Sequence, residues 1–164
     1  MMGCGKSTIG QQLSTNLNLN YIDLDKEIEK HEKTNIPFIF QEKGEPYFRK
    51  IESEILFQQE KKENYIMATG GGIILDKNNQ IFLKQQNATI IFLKTSLQEL
   101  IKRTKNKNNR PLLNKSNQEK EIETHLNIRT PIYKKLANIM MDTSHQTIFQ
   151  TITCIQNKLE KSNN

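Results

Sequence analysis

Short apolar runs alternate along the chain with longer stretches in which apolar residues recur every three or four positions. The runs are Tyr21-Ile22-Asp23, 64–69 (N-Y-I-M-A-T), 88–94 (A-T-I-I-F-L-K) and 138–141 (N-I-M-M). They read as strands, and 88–94, nearly all apolar, reads as the most deeply buried. Between them the helical period predicts helices over about 6–17, 24–32, 45–62, 76–86, 96–106, 118–136 and 146–161. Strand–helix alternation argues for an α/β fold, a parallel sheet covered by helices on both faces in three α/β/α layers. Segment 105–118 is polar and rich in Asn, and reads as a mobile excursion. One more strand–helix unit follows it, so 1–164 is expected to be a single domain. No internal repeat interrupts the alternation.

Composition narrows the class. A chain of 164 residues suffices for one domain with a real core. Two cysteines, Cys4 and Cys154, have no metal-ligand spacing and suit a reducing compartment. No apolar run approaches the ~20 residues of a membrane span, and no signal peptide is expected, so the expected location is the cytoplasm. The net charge is +6. The lysines are scattered without interleaved aromatics, so the positive balance suits an enzyme of anionic ligands better than a nucleic-acid binder.

The first residues carry candidate chemistry. Gly3-Cys4-Gly5-Lys6-Ser7-Thr8 matches the back half of the phosphate-binding pattern G-x-x-x-x-G-K-[ST]. Its first glycine would fall one position before Met1. Glycines let backbone N–H groups curl around phosphate oxygens. Lys6 would reach the outer phosphates, and the Ser7 hydroxyl would ligate Mg²⁺. The following helix, with Ile9, Leu13 and Leu17 on one face, would aim its positive end at the same anion. A chance turn is the bland alternative.

Four further patterns bear on function. Asp23-Leu24-Asp25 ends a strand, where ligands bind in open α/β sheets, and alternation puts both carboxylates on one face. One carboxylate would hold a metal-bound water and the other a substrate hydroxyl, or Asp25 would merely cap a helix. Arg49 and Glu52 are three apart on a helix, which fits a surface ion pair or an Arg oriented to bind a carboxylate. Gly70-Gly71-Gly72 after a strand suits close approach of a ligand, or else a flexible turn. Arg110 with Pro111 lies in the polar excursion, and Arg129 precedes Pro131 in a helical stretch. The first would close over a transferring phosphate and the second would bind an anion; otherwise both are solvated.

Taken in order, M-G-C-G-K-S-T-I-G, D-L-D, F-R-x-x-E, G-G-G, R-P-L-L and R-x-P-x-Y resemble shikimate kinase, a small P-loop kinase family, over nearly the whole chain. D-x-D, F-R-x-x-E and the triple glycine separate it from adenylate and gluconate kinases. The resemblance implies transfer of the ATP γ-phosphate to the 3-hydroxyl of shikimate. It implies that Gly3, Cys4, Gly5, Lys6, Ser7 and Thr8 bind ATP, with Ser7 and Asp23 serving Mg²⁺. By the same resemblance Asp25 grips the shikimate hydroxyls and orients or deprotonates the nucleophile. Arg49 and Arg129 clamp the carboxylate, and Gly70, Gly71 and Gly72 run along the substrate. Arg110 is the lid arginine, and Arg103 stacks on adenine. Helices within about 24–62 would bind substrate, and 105–118 would be the lid. The catalytic set would be Asp25, Lys6 and Arg110, in a monomer with no nucleic-acid or membrane partner.

Two departures stand out. The loop after the last strand, 143–148, has no proline to face adenine. The family's sheet order is 2-3-1-4-5, and its central strand would precede Met1, so full activity is expected to need residues before it. A gluconate-type kinase and a catalytically impaired nucleotide-binding remnant remain the alternatives.

Overall fold

A computed structural model describes residues 3–60, 63–105 and 115–162. The elements run α1 (Lys6–Leu17), β1 (Asn20–Asp23), α2 (Leu24–Glu32), α3 (Ile36–Phe57), β2 (Tyr65–Ala68), a 3₁₀ turn (Ile73–Leu75), α4 (Lys77–Gln85), β3 (Ile91–Lys94), α5 (Leu97–Lys105), α6 (Lys115–Leu136), β4 (Ile139–Asp142) and α7 (Ile148–Ser162). The architecture is α/β with parallel strands, as the alternation predicts. β1 pairs β2 in parallel from Asn20↔Tyr65 to Asp23↔Ala68. β3 pairs β4 in parallel from Ile91↔Ile139 to Lys94↔Asp142. Among the described residues these are two separate two-stranded sheets.

The chain divides into two compact units, 7–87 and 1–6 with 88–164, and the division falls in the first turn of α1. The 7–87 unit buries Ile9, Leu13, Leu24, Ile28, Ile39, Ile51, Ile55 and Leu56. Each buried aliphatic side chain of this size contributes about 1.5–3 kcal/mol. β1 passes straight into α2 because Asp23 stays extended (φ −103, ψ 112) and its side chain accepts from the Asp25 N–H. Asp23, not Asp25, is therefore the helix cap.

α3 differs from the sequence-based boundaries. Helix already begins at Ile36, capped by Asn35 Oδ1 accepting from the Phe38 N–H, with Pro37 in the first turn. Gly44 then breaks it with φ 77, ψ 171, a backbone conformation that favours glycine. Pro46 lies just beyond the break, in the first turn of the second segment, where a missing N–H costs nothing. α2 is fastened to α3 by Glu32, whose side chain is 6% exposed and accepts from Lys43 Nζ at 2.7 Å and Tyr47 Oη at 3.1 Å.

The other unit buries Phe92, Leu93, Leu100, Ile122, Leu136, Ile139, Met141, Ile152 and Ile155. Tyr133 stacks on Phe92 with ring centroids 4.7 Å apart. α6 continues through Pro131 without a break between Lys115 and Leu136. No helix among the described residues is long and apolar enough to cross a membrane.

Candidate active site

The phosphate-loop glycines have the backbone that the motif requires. Gly3 and Gly5 take φ 81 and φ 91, and Cys4 between them is fully buried. Gly3 lies so close to α5 that a Cβ on it would come 3.1 Å from Thr104 Cγ2 and 3.9 Å from Arg103 Cβ. Lys6 heads α1 directly after these turns. Helix N-termini expose unpaired N–H groups and a positive dipole end, so the loop is shaped to receive an anion.

Arg103 is anchored in the same unit. Its Nε donates to Glu99 Oε1 at 2.9 Å and its Nη2 to the Thr143 carbonyl at 2.8 Å. The residues after β3 and β4 are joined by hydroxyls: Thr95 Oγ1 and Thr143 Oγ1 lie 2.7 Å apart, and the Ser96 N–H donates to Ser144 Oγ at 2.9 Å. The loop without a proline is thus shaped by buried hydroxyls, and His145 in it is exposed. Arg129 is half-buried on α6. Arg110 and most of the expected lid, 106–114, lie outside the described residues.

In the 7–87 unit, D-L-D, F-R-x-x-E and the triple glycine come together. Arg49 Nη1 donates to Glu52 Oε2 at 2.6 Å, and Glu52 is fully buried. On its other edge, Arg49 Nε and Nη2 both donate to Glu45 Oε1, at 3.1 and 3.0 Å. Burial alone would lower the Arg49 pKa, but the charge and hydrogen bond of Glu52, and then those of Glu45, outweigh it and hold it above the ordinary value. Phe48 lies beneath the guanidinium, 5.1 Å from ring centroid to Cζ.

The glycines have a specific reason to be glycines. A Cβ on Gly72 would come within 2.5 Å of both Arg49 Nη atoms. A Cβ on Gly70 would come 2.5 Å from Glu52 Oε1 and 3.2 Å from Asp25 Oδ1. Gly72 has φ −96, which any residue adopts. It is needed for space, and the space is filled by the protein's own charged side chains.

Asn79 and Ser53, which the sequence patterns do not single out, hold this arrangement. Buried Asn79 donates from Nδ2 to Ser53 Oγ at 3.0 Å and to the Ile73 carbonyl at 3.1 Å. Ser53 Oγ in turn donates to the Arg49 carbonyl at 3.0 Å, so the turn after the glycines is tied to the helix carrying Arg49. Nothing in the Asn-rich sequence marks Asn79 out. Tyr21 Oη donates to Asp23 Oδ2 at 3.2 Å and also hydrogen-bonds the Ser7 side chain. Burial and the Asp23 charge push its pKa up to about 12.

The family model for shikimate kinase matches residues 2–160. The chain belongs to the shikimate kinase family. A shikimate kinase of Methylococcus capsulatus is 38% identical over 161 residues, 98% of this chain and 89% of that protein. One of Buchnera aphidicola is 36% identical over 98% of this chain and 92% of its own length. Among solved structures, a shikimate kinase from Acinetobacter baumannii in complex with shikimate superposes with a TM-score of 0.91 at 33% identity, covering 98% of this chain and 89% of that one. The Aquifex aeolicus enzyme gives 0.85 at 35% identity, covering 99% and 94%. The family thus shares both the sequence and the fold of this chain over nearly its whole length.

Proposed function

We propose that this chain transfers the γ-phosphate of ATP to the 3-hydroxyl of shikimate, a step in aromatic amino-acid biosynthesis. The observation that carries this reading is the Arg49–Glu52 pair set against Gly72, with Asp25 beside Gly70. It provides a forked cation for one carboxylate and an acceptor for hydroxyls in a single unit, which is what a small polyhydroxy acid asks of a protein.

Each residue then has a role. Gly3, Cys4, Gly5 and Thr8 bind ATP with the phosphate loop, and Lys6 neutralises charge on the outer phosphates. Arg103 contacts adenine, and Arg110 closes over the transferring phosphoryl group. Arg49 holds the shikimate carboxylate, and Arg129 is a second cation for it. Gly70, Gly71 and Gly72 line the substrate. Asp25 orients the 3-hydroxyl and accepts its proton as the oxygen bonds to the γ-phosphorus and the bond to ADP breaks. The protein's part is positioning and charge neutralisation, since phosphoryl transfer needs little covalent help.

The donors also fit Mg²⁺. Ser7 and Asp23 present only oxygen and share Tyr21 as a hydrogen-bond partner. Among the described residues no cluster of three His, Cys, Asp or Glu forms an all-protein cage. That suits a hard cation that keeps waters and phosphate oxygens as its remaining ligands. When bound, Mg²⁺ supplies charge neutralisation of the phosphates.

The test is ADP release in a coupled assay with ATP and shikimate, with ATP and gluconate, and with ATP alone. Release that depends on shikimate is expected. Release with gluconate alone would mean a gluconate-type kinase. ATP binding without either activity would mean a nucleotide-binding remnant.

A further inference from the structure

We propose that Glu45 is a positioning residue of the carboxylate site, fixing the plane in which Arg49 presents its donors. This inference rests on the shikimate reading above. Glu52 anchors the guanidinium through Nη1. One anchor leaves the group free to pivot about that nitrogen. Glu45 Oε1 takes the Nε–H and one Nη2–H from the opposite edge. Two anchors on different edges define a plane. With one N–H of each engaged, Nη1 and Nη2 retain one donor apiece for an incoming carboxylate.

The sequence builds Glu45 into place. It follows Gly44, whose φ of 77 and ψ of 171 separate the two helical segments of α3, and it precedes Pro46, whose φ is locked. Four residues before Arg49, it lies on the same face of the second segment. Its side chain is 60% exposed, against 0% for Glu52. An ion pair that open contributes little to folding. Its removal should therefore alter the site and spare the fold.

Charge alone makes the opposite forecast. Arg49 sits between two carboxylates, so deleting one would favour an incoming anion if repulsion governed the site. The sign of the effect decides between the two.

The experiment compares wild type, Glu45→Gln and Glu45→Ala by steady-state kinetics. Gln keeps the accepting oxygen and loses the charge. Positioning requires that Glu45→Ala raise the shikimate KM on the order of tenfold, with the ATP KM and melting temperature unchanged and kcat altered far less. Glu45→Gln should restore most of the lost affinity. A KM unchanged or lowered in Glu45→Ala would overturn the proposal, as would a Gln variant as weak as Ala. In parallel, the Arg49 Nε–H resonance in wild type and Glu45→Ala reports the anchoring without any substrate. It should be sharp in the wild type and exchange-broadened in the variant, and identical resonances would also overturn the proposal. Wild-type protein inert toward shikimate would instead refute the substrate reading, and the resonance comparison would still judge Glu45.

Discussion

Two regions of the molecule hold their candidate site side chains by different means. Around Arg49 the order comes from charge: one guanidinium between Glu45 and Glu52, packed on Gly72. Around Arg103 a single carboxylate, Glu99, is joined by neutral groups: a carbonyl from Thr143, paired hydroxyls of Thr95 and Thr143, and Ser144 capping the Ser96 N–H. The difference follows the ligand each region is proposed to meet. A cation kept for a carboxylate must be held when the ligand is away, and resident carboxylates do that. A flat, uncharged base needs shape, which buried hydroxyls and backbone give beside the Arg103–Glu99 pair. The charged region should therefore respond to substitutions through turnover and substrate affinity, and the neutral one through stability.

Breaking the charged region at its centre should have the largest effect. Asp25→Asn keeps shape and removes the proton acceptor, so kcat should fall by about 10²–10⁴-fold, while calorimetry shows ATP binding nearly unchanged. Wild-type turnover would remove Asp25 from its role. Next is Gly72→Ala. Its backbone tolerates alanine, so the cost is the collision with Arg49. The shikimate KM should rise on the order of tenfold, with the ATP KM unmoved. An equal change in both constants would mean that the two regions are not independent.

The neutral region is probed by Thr143→Val, which leaves the Thr95 hydroxyl buried without its partner. Thermal or denaturant unfolding should show a loss of about 1–3 kcal/mol, and the shikimate KM should stay constant. The smallest effect is expected where α2 is fastened to α3. The Lys43 hydrogen bond holds the Glu32 carboxyl below its ordinary value of 4.5, and Tyr47 adds to it. A depressed carboxyl stabilises above its unfolded value, and the contribution is lost as pH falls through the folded one. The wild type should therefore lose stability below about pH 4.5, and Glu32→Gln should flatten that limb of an acid-unfolding curve. Identical acid limbs would mean that Glu32 ties the helices without titrating.

Much of this was legible in residue order. The spans of α1 and α2 match their predicted ranges, because apolar period and a clear start signal coincide there. The four strands were found to within a few residues of their ends. The helical period predicts only the second segment of α3, although Asn35 and Pro37 are start signals, because the break at Gly44 interrupts the period. Residue type and spacing mark Arg49, Glu52 and the glycines as candidates, whereas Glu45, an exposed Glu on a helix, looks like any other.

The sequence by itself determined the strand–helix alternation, the phosphate-loop glycines and the identity of the charged residues, because period, backbone permissiveness and side-chain chemistry are local properties. Only the tertiary structure decided which strands pair, that Asp23 is the cap, that Gly72 is small to admit Arg49, and that Glu45 and Asn79 hold it. Those depend on which surfaces meet, and residues as far apart as Ser53 and Asn79 meet only when the chain has folded.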